Sequence, residues 1–420
     1  MNQLLQVELN KKKCLNRNIN YQLELQRNNF RRIKEYYKSK SNLYSFLKNK
    51  NCSQFLENFE LIDYINSGSS GVVYKGYSKQ NPSNAVCLKF LLNKIELENR
   101  ETKYNNNYRK EINSDNNINI NRKSIFPKIE EIKIQKQLQH KNIAKYYDYC
   151  DLKEYGCIVM ELADYGDLDF IKKKYILKEH LSETFLAYIT KQILDGLFYI
   201  HKLKIIHMDI KQQNILVDKN LDVKITDFSI SLSYDKIKST EKIKLPLSGT
   251  SLYMSPEVLS KAQIDVEDAS KIDMFSLGVM LYNLAFGEFP YKLNINIKKN
   301  FLTIFERIRD NNLEMPEDKI KVEKYSNLFI KFLRNLLDKN IKNRMSVFEA
   351  LEDPWIKGTQ LIFKEKEKIS DSAKFYTYLT TGNFRTFNEY LKMNNSETFN
   401  SKKKKTDRYK KKLERRCVNI

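Results

Sequence analysis

Four polar side chains in IIHMDIKQQNIL and the KITDFS that follows it fall at fixed intervals: Asp209, Lys211, Asn214 and Asp227. Phosphoryl transfer needs a carboxylate that orients a hydroxyl and accepts its proton. It also needs oxygens that hold a metal bridging the phosphates, and a cation at the transferred group. These four side chains supply that set. The pattern H-x-D-x-K-x-x-N, an apolar hairpin and then D-F is far more specific than any of its residues alone.

A phosphate-bearing ligand would need further groups upstream. In NSGSSGVVY, Gly68 and Gly71 would let backbone amides approach phosphate oxygens, with Asn66 where a G-x-G-x-x-G pattern has its first glycine. Glycine-rich hairpin turns are also common without a ligand. Lys89, in VCLKF, could cap a phosphate if an opposite charge held its amine, and Glu131 is the candidate partner. Taken singly, each reads equally as a solvated surface charge.

The elements that must position these groups follow from periodicity. FELIDYI, GVVYKGY and AVCLKFL are short β-rich runs around a Gly/Ser turn and read as an antiparallel meander. Residues 97–124 are rich in Asn and charge and read as an exposed insertion. IEEIKIQKQLQ reads as a helix and CIVMEL as a buried strand, while FLAYITKQILDGLFYIHKL and FSLGVMLYNLAFG carry helical periodicity.

With these residues in order, the segment from about Phe59 to Trp355 resembles a eukaryotic protein kinase domain of the serine/threonine type. The resemblance implies an α+β, bilobal fold, with a small antiparallel β-rich N-lobe carrying one regulatory helix and a larger, mainly α-helical C-lobe. The expected domains are a basic extension over 1–58, a kinase domain over 59–356 and a basic, mostly disordered tail over 357–420. Within the domain the lobes divide as 59–162 and 163–356.

The family pattern implies transfer of the ATP γ-phosphate to protein serine or threonine hydroxyls, with magnesium, or manganese in its place, as the metal. Asp209 is the implied catalytic base, Lys211 the cation, and Asn214 and Asp227 the metal ligands. Lys89 is implied to pair with Glu131 and contact phosphates; Glu131 is preferred to Glu130 for its spacing to His140. Asn66, Gly68, Gly71, Val73, Cys87 and Leu216 complete the implied nucleotide site, with Met160 as gatekeeper, Glu161 to Ala163 receiving adenine and Asp167 near the ribose. Glu257 is expected to pair with Arg344, Asp273 to brace the catalytic loop, and Thr250 to stand beside Asp209.

The chain departs from the pattern at several points. Met208 replaces the arginine that gathers an activation-loop phosphate, so activity independent of that phosphate is expected, with Lys224 as the alternative gathering cation. Ser229 follows Asp227-Phe228 in place of glycine, Gln135 stands where an apolar residue is usual, and Gln213 is neutral where basophilic kinases carry an acid. A pseudokinase scaffold is the alternative function, because fold alone does not fix activity.

The net charge of +22 sits mostly at the ends: residues 1–50 hold twelve basic and three acidic side chains, and residues 401–420 hold ten and two. Such arms could touch acidic proteins, RNA or anionic membrane. Six irregularly spaced cysteines suggest neither a disulfide framework nor a zinc ribbon. With no membrane-length apolar run and no leader-like N-terminus, a cytoplasmic protein is expected, with the nucleus as the alternative.

Overall fold

The computed structural model describes residues 58–68, 71–91, 127–151, 156–175, 181–291, 308, 324–368 and 388–389. The N-terminal extension to residue 57, the Asn-rich segment 97–124 and the tail beyond 368, apart from 388–389, lie outside them. The chain divides into two compact units, the smaller holding Tyr147–Glu161 with the strands before residue 92, the larger holding Asn121–Tyr146 and everything from Leu162.

The smaller unit is a sheet of β1 (Phe59–Gly68), β2 (Gly71–Ser78), β3 (Asn81–Leu91), β4 (Tyr146–Asp151) and β5 (Gly156–Glu161), in the order β1-β2-β3-β5-β4. The β1–β2, β2–β3 and β3–β5 pairs are antiparallel. The period of two sorts the side chains by face. Val72, Tyr74, Val86, Leu88, Phe90, Cys157 and Val159 form a buried apolar cluster on one face. Tyr74 meets both Tyr64 and Phe90 edge to face at 5.9 Å.

In the larger unit, α1 (Pro127–Gln137) precedes α2 (Leu168–Tyr175) and α3 (Glu183–Lys202). The short strands β6 (Ile205–Ile206) to β9 (Leu232–Ser233) and β7 (Ile215–Val217) to β8 (Val223–Ile225) follow as antiparallel pairs. Then come β10 (Lys242–Lys244), α4 (Pro256–Leu259), β11 (Gln263–Asp265), α5 (Lys271–Phe286), α6 (Asn327–Leu336), α7 (Val347–Glu352), α8 (Pro354–Lys357) and α9 (Gln360–Lys368). Fourteen of the sixteen residues of helix α5 are buried, in keeping with its predominantly apolar composition. A Cβ on Gly278 would lie 2.9 Å from Leu336 Cβ, so glycine is what allows α5 and α6 to approach this closely.

Three distant elements meet at the buried carboxylate of Glu183, at the start of α3. It accepts hydrogen bonds from Ser326 N (2.7 Å), Ser326 Oγ (2.5 Å) and Trp355 Nε1 (2.8 Å). Trp355 is fully buried against Phe329 and Phe332, with ring centroids 4.9 Å away in each case.

Packing adds detail at two of the expected boundaries. Residues 59–162 were the expected small lobe; within that range, α1 and the segment through Tyr146 group with the larger unit by contact. The cause is packing: Ile134, Leu138 and Ile143 join its core, and the Asn142 amide donates to Gln192 Oε1 (3.0 Å) and the Val223 carbonyl (2.9 Å). The segment from 357, expected to be a basic and mostly disordered tail, carries α9 near its start, whose Ile362 is fully buried. Phe363 lies 5.0 Å from the Tyr188 ring, and Lys366 Nζ donates to Tyr188 Oη (2.7 Å) and Asp222 Oδ1 (2.8 Å). Among the described side chains of this helix, Ile362 and Phe363 make those apolar contacts, too few for sequence periodicity to reveal.

Candidate active site

The smaller unit contributes one ordered face. Asn66 pairs with Val73, Val73 with Lys89, Lys89 with Ile158, and Cys87 with Met160. Antiparallel partners share a face, so Asn66, Val73, Cys87, Lys89 and Met160 all stand opposite the apolar cluster. Asn66 Oδ1 accepts from Ser67 N at 2.8 Å, holding the side chain against the end of its own strand. Gly71 has φ +154°, and a Cβ there would lie 2.2 Å from the Phe90 carbonyl oxygen, so no side chain fits. Burial pushes the Cys87 thiol up to about 12 against the pull of Lys89, keeping it neutral. Glu161 ends β5.

The four residues expected to carry the chemistry, Asp209, Lys211, Asn214 and Asp227, lie wholly in the larger unit. Asp273, buried in the first turn of α5, accepts hydrogen bonds from His207 N (2.8 Å), Met208 N (2.9 Å) and His201 Nε2 (2.8 Å). These charge-assisted bonds hold Met208 at φ +70°, a left-handed conformation costing roughly 1 to 2 kcal/mol for a residue with a Cβ. That bend presents the next residue, Asp209. Asp273 thus braces the loop as expected.

Four donors converge on the Asp209 carboxylate. Thr250 donates to Oδ1 through its backbone N (2.9 Å) and its Oγ1 (2.7 Å). Lys211 Nζ (2.5 Å) and Asn214 Nδ2 (3.1 Å) donate to Oδ2. Lys211 also reaches Thr250 Oγ1 at 2.8 Å, closing the ring of contacts. The segment carrying Thr250 comes this near because Gly249, at φ +118°, leaves no Cβ to strike the Met208 carbonyl, which would be 2.7 Å away. The sequence signals Lys211 and Asn214 by spacing; the need for glycine at 249 emerges only from this approach.

The β7–β8 hairpin brings the remaining acid alongside. Ile215 pairs with Ile225, and Thr226 N donates to the Asn214 carbonyl at 3.0 Å, so Asn214 and Asp227 flank the same end of the hairpin. Asp227 takes φ +67°, and Ser229 N lies 3.4 Å from its Oδ1. The buried Phe228 ring packs 4.9 Å from His207. The Asn214 amide also donates to the Asp209 carbonyl (2.8 Å), which fixes its orientation.

The other implied residues are placed as follows. Ala163 accepts from Gly166 N at 3.3 Å, and Asp167 forms a bridge with Leu216 of β7. Asp167 Oδ1 caps α2 by accepting from Phe170 N (2.8 Å), while burial holds its carboxyl above the usual range. Glu131 is buried in α1 of the larger unit and Lys89 is buried in β3 of the smaller. Gln135 is buried with its Oε1 unpaired among the described residues, the cost its position suggested.

Downstream, Arg344 is buried and forms a fork with Glu257, Nη1 to Oε1 at 2.5 Å and Nη2 to Oε2 at 3.1 Å. Ser276 Oγ donates to the Tyr253 carbonyl (2.8 Å) and Tyr291 Oη to the Leu252 carbonyl. Neither Ser276 nor Tyr291 carries a sequence signal, since both act on backbone far away in the chain.

A β-sheet unit, a helical unit and a carboxylate ringed by lysine, threonine and asparagine define a phosphotransferase of the kinase type. The sequence profile of the "Protein kinase domain" matches residues 59–356. The chain belongs to the eukaryotic protein kinase family, serine/threonine type. It is 31% identical over 322 residues to serine/threonine-protein kinase dst2 of Dictyostelium discoideum, covering 76% of this chain and 24% of that protein. Serine/threonine-protein kinase TIO of Arabidopsis thaliana is 29% identical (73% and 20%), and human serine/threonine-protein kinase ULK3 is 27% identical (72% and 55%). The match thus spans between a fifth and just over half of these relatives' own lengths.

Proposed function

We propose that this chain transfers the γ-phosphate of ATP to serine or threonine hydroxyls of other proteins. The observation that carries the reading is the convergence of Thr250, Lys211 and Asn214 on the Asp209 carboxylate. A carboxylate offers about four acceptor sites, and all four are engaged, so an incoming hydroxyl displaces one donor. The Asn214 contact, at 3.1 Å, is the longest. Asp209 then orients the hydroxyl and takes its proton, while Lys211 keeps a positive charge beside the carboxylate and Thr250.

The donor set suits magnesium: Asp227 and Asn214 offer carboxylate and amide oxygens, the hard ligands this ion takes. Asn214 spends its Nδ2 on Asp209, which leaves Oδ1 as its end for a cation. Magnesium, when bound, neutralises phosphate charge. On the sheet of the smaller unit, Lys89 and the Gly68–Gly71 turn supply the phosphate-facing groups and Met160 and Glu161 the adenine side.

Activation-segment order in this reading needs no phosphate. Strand β10 pairs with β11, Ile243 and Leu245 are buried, and Lys342 Nζ reaches Asp265 (2.6 Å) and Asp268 (2.6 Å) beneath that pair. Lys224, the alternative gathering cation, lies 3.8 Å from Asp218. Phosphatase-treated protein retains activity if this is right; abolished activity refutes it.

The deciding experiment is transfer of labelled γ-phosphate from Mg-ATP to a generic protein substrate, beside an Asp209→Ala control, followed by phosphoamino-acid analysis. Labelled serine or threonine with wild type alone is the expected result. A folded, nucleotide-binding wild type that transfers nothing would overturn the reading.

A further inference from the structure

Between the β6–β9 pair and Thr250 the chain is lined with lysine. Lys236, Lys238, Lys242 and Lys244 are all exposed. In β10 the alternation is strict: Ile243 enters the core while Lys242 and Lys244 stand together on the outer face. Lys261 is also exposed, and it is held beside the end of this strand because Leu245 N donates to the Ala262 carbonyl at 3.2 Å. Of these lysines, only Lys242 has an ion-pair partner among the described residues, Asp265 at 3.9 Å. Asp265 itself is already held by Lys342. Two exposed acids, Asp235 and Glu241, lie within the strip and do not balance it.

The acids near the catalytic loop are committed elsewhere. Asp164 accepts from Lys219 N (3.0 Å), Asp167 caps α2, and Asp169 pairs with Lys173 at 2.5 Å. Gln213, beside Asn214, is exposed and neutral. With four exposed lysines against Asp235 and Glu241, the strip presents a net positive charge to an approaching chain. The two ends of this chain are themselves basic and would be repelled from the strip.

We propose that Lys236, Lys238, Lys242 and Lys244 recognise acidic segments of the protein substrate. The inference rests on the kinase reading above and gives it a substrate class. Lys244 stands six residues before Thr250, whose hydroxyl touches the catalytic carboxylate. An extended chain spans at most about 3.4 Å per residue, so the strip begins within about 20 Å of the reacting hydroxyl. Asp, Glu or phosphorylated residues within about six positions of the accepting serine are the features it would hold. Attraction between exposed charges acts over a Debye length of about 8 Å at physiological salt, so the effect should fall as salt rises.

The test compares three serine peptides of equal length with the purified full chain and Mg-ATP: one with Asp on both sides of the acceptor, one with Gln there, one with Arg. The expected result is a kcat/KM for the acidic peptide at least tenfold above the Gln peptide, carried by KM and shrinking between 50 and 500 mM salt. In Lys236→Gln/Lys238→Gln/Lys244→Gln the acidic-to-Gln ratio should fall at least fivefold, at an unchanged melting temperature. Equal rates on the acidic and Gln peptides, or a preference that survives the triple variant, would overturn the inference while leaving the kinase reading intact. Lysine-dependent RNA binding without any peptide preference would assign the strip to nucleic acid and also overturn it. Transfer to none of the peptides or to a generic protein substrate would sink the kinase reading itself.

Discussion

Replacing Arg344 with methionine isolates one buried ion pair of the helical unit. Arg344 is 1% exposed, and its guanidinium makes four hydrogen bonds: two to the Glu257 carboxylate, one to the Asp338 carbonyl (2.9 Å) and one to the Lys271 carbonyl (3.0 Å). Methionine matches much of the stem but leaves Glu257, itself 7% exposed, as an uncompensated buried charge. Breaking one side of a buried pair costs about 3 to 5 kcal/mol. At roughly 2 to 4 °C per kcal/mol, a melting temperature lower by on the order of 10 °C is expected. Urea titration and thermal melts of wild type, Arg344→Met, Glu257→Leu and the double variant form a complete cycle. The double variant should regain at least half of the loss, because no charge is then stranded. A single variant that costs less than about 1 kcal/mol, or a double variant no better than Arg344→Met, would refute the argument.

Thr250→Ala removes a charge-assisted bond to the Asp209 carboxylate and a partner of Lys211; at about 1.5 to 3 kcal/mol, kcat should fall some ten- to hundredfold with little change in KM for ATP, read by steady-state kinetics. Gln135→Leu replaces a buried amide whose Oε1 is unpaired, and a gain of about 1 kcal/mol in urea titration is expected; a comparable loss would mean the oxygen is satisfied. Glu183 carries a pH signature. Burial raises its carboxyl above the ordinary value of 4.5, outweighing the Ser326 and Trp355 donors that pull it down. The folded chain therefore keeps this proton to higher pH than the unfolded chain. That contribution to stability is fully present below pH 4.5 and is lost as pH rises through the raised value. The stability of wild type minus Glu183→Gln should decline over that window, and a difference that grows with pH would contradict the assignment.

The parts of the fold that sequence reveals are those whose signal is local. The runs FELIDYI, GVVYKGY and AVCLKFL appear as β1, β2 and β3, and the two long apolar periodicities as α3 and α5. The H-x-D-x-K-x-x-N spacing places Asp209, Lys211 and Asn214 together because all three share one tight loop. The Glu257 and Arg344 pair, 87 residues apart, became visible only through family resemblance. What stayed hidden depends on partners far apart in the chain and on elements too short to show a period. Strands β10 and β11 have three residues each and pair across an intervening loop. Asn142 and Gln192 are ordinary polar residues until their amides meet, 50 residues apart, under Val223. The assignment of α1 to the larger unit likewise turns on Ile134 and Leu138, whose contacts no pattern within the helix specifies.

The meeting of Glu183, Ser326 and Trp355 bears on how the chain comes off the ribosome. Its hydrogen bonds link residues 143 and 172 positions apart, so the start of α3 cannot bury its carboxylate until residue 355 has been made and has cleared the exit tunnel. Contacts of such sequence separation form late and slow folding, because a long loop must close before they stabilise anything. The sheet of the smaller unit, by contrast, has its last strand complete by Glu161. Synthesis at about 5 to 20 residues per second then leaves roughly 4 to 14 seconds between the end of α5 and the end of α8, in which α3 and α5 exist without α8 to cover them. During that interval the apolar sides of α3 and α5 are the surfaces that a chaperone would have to shield.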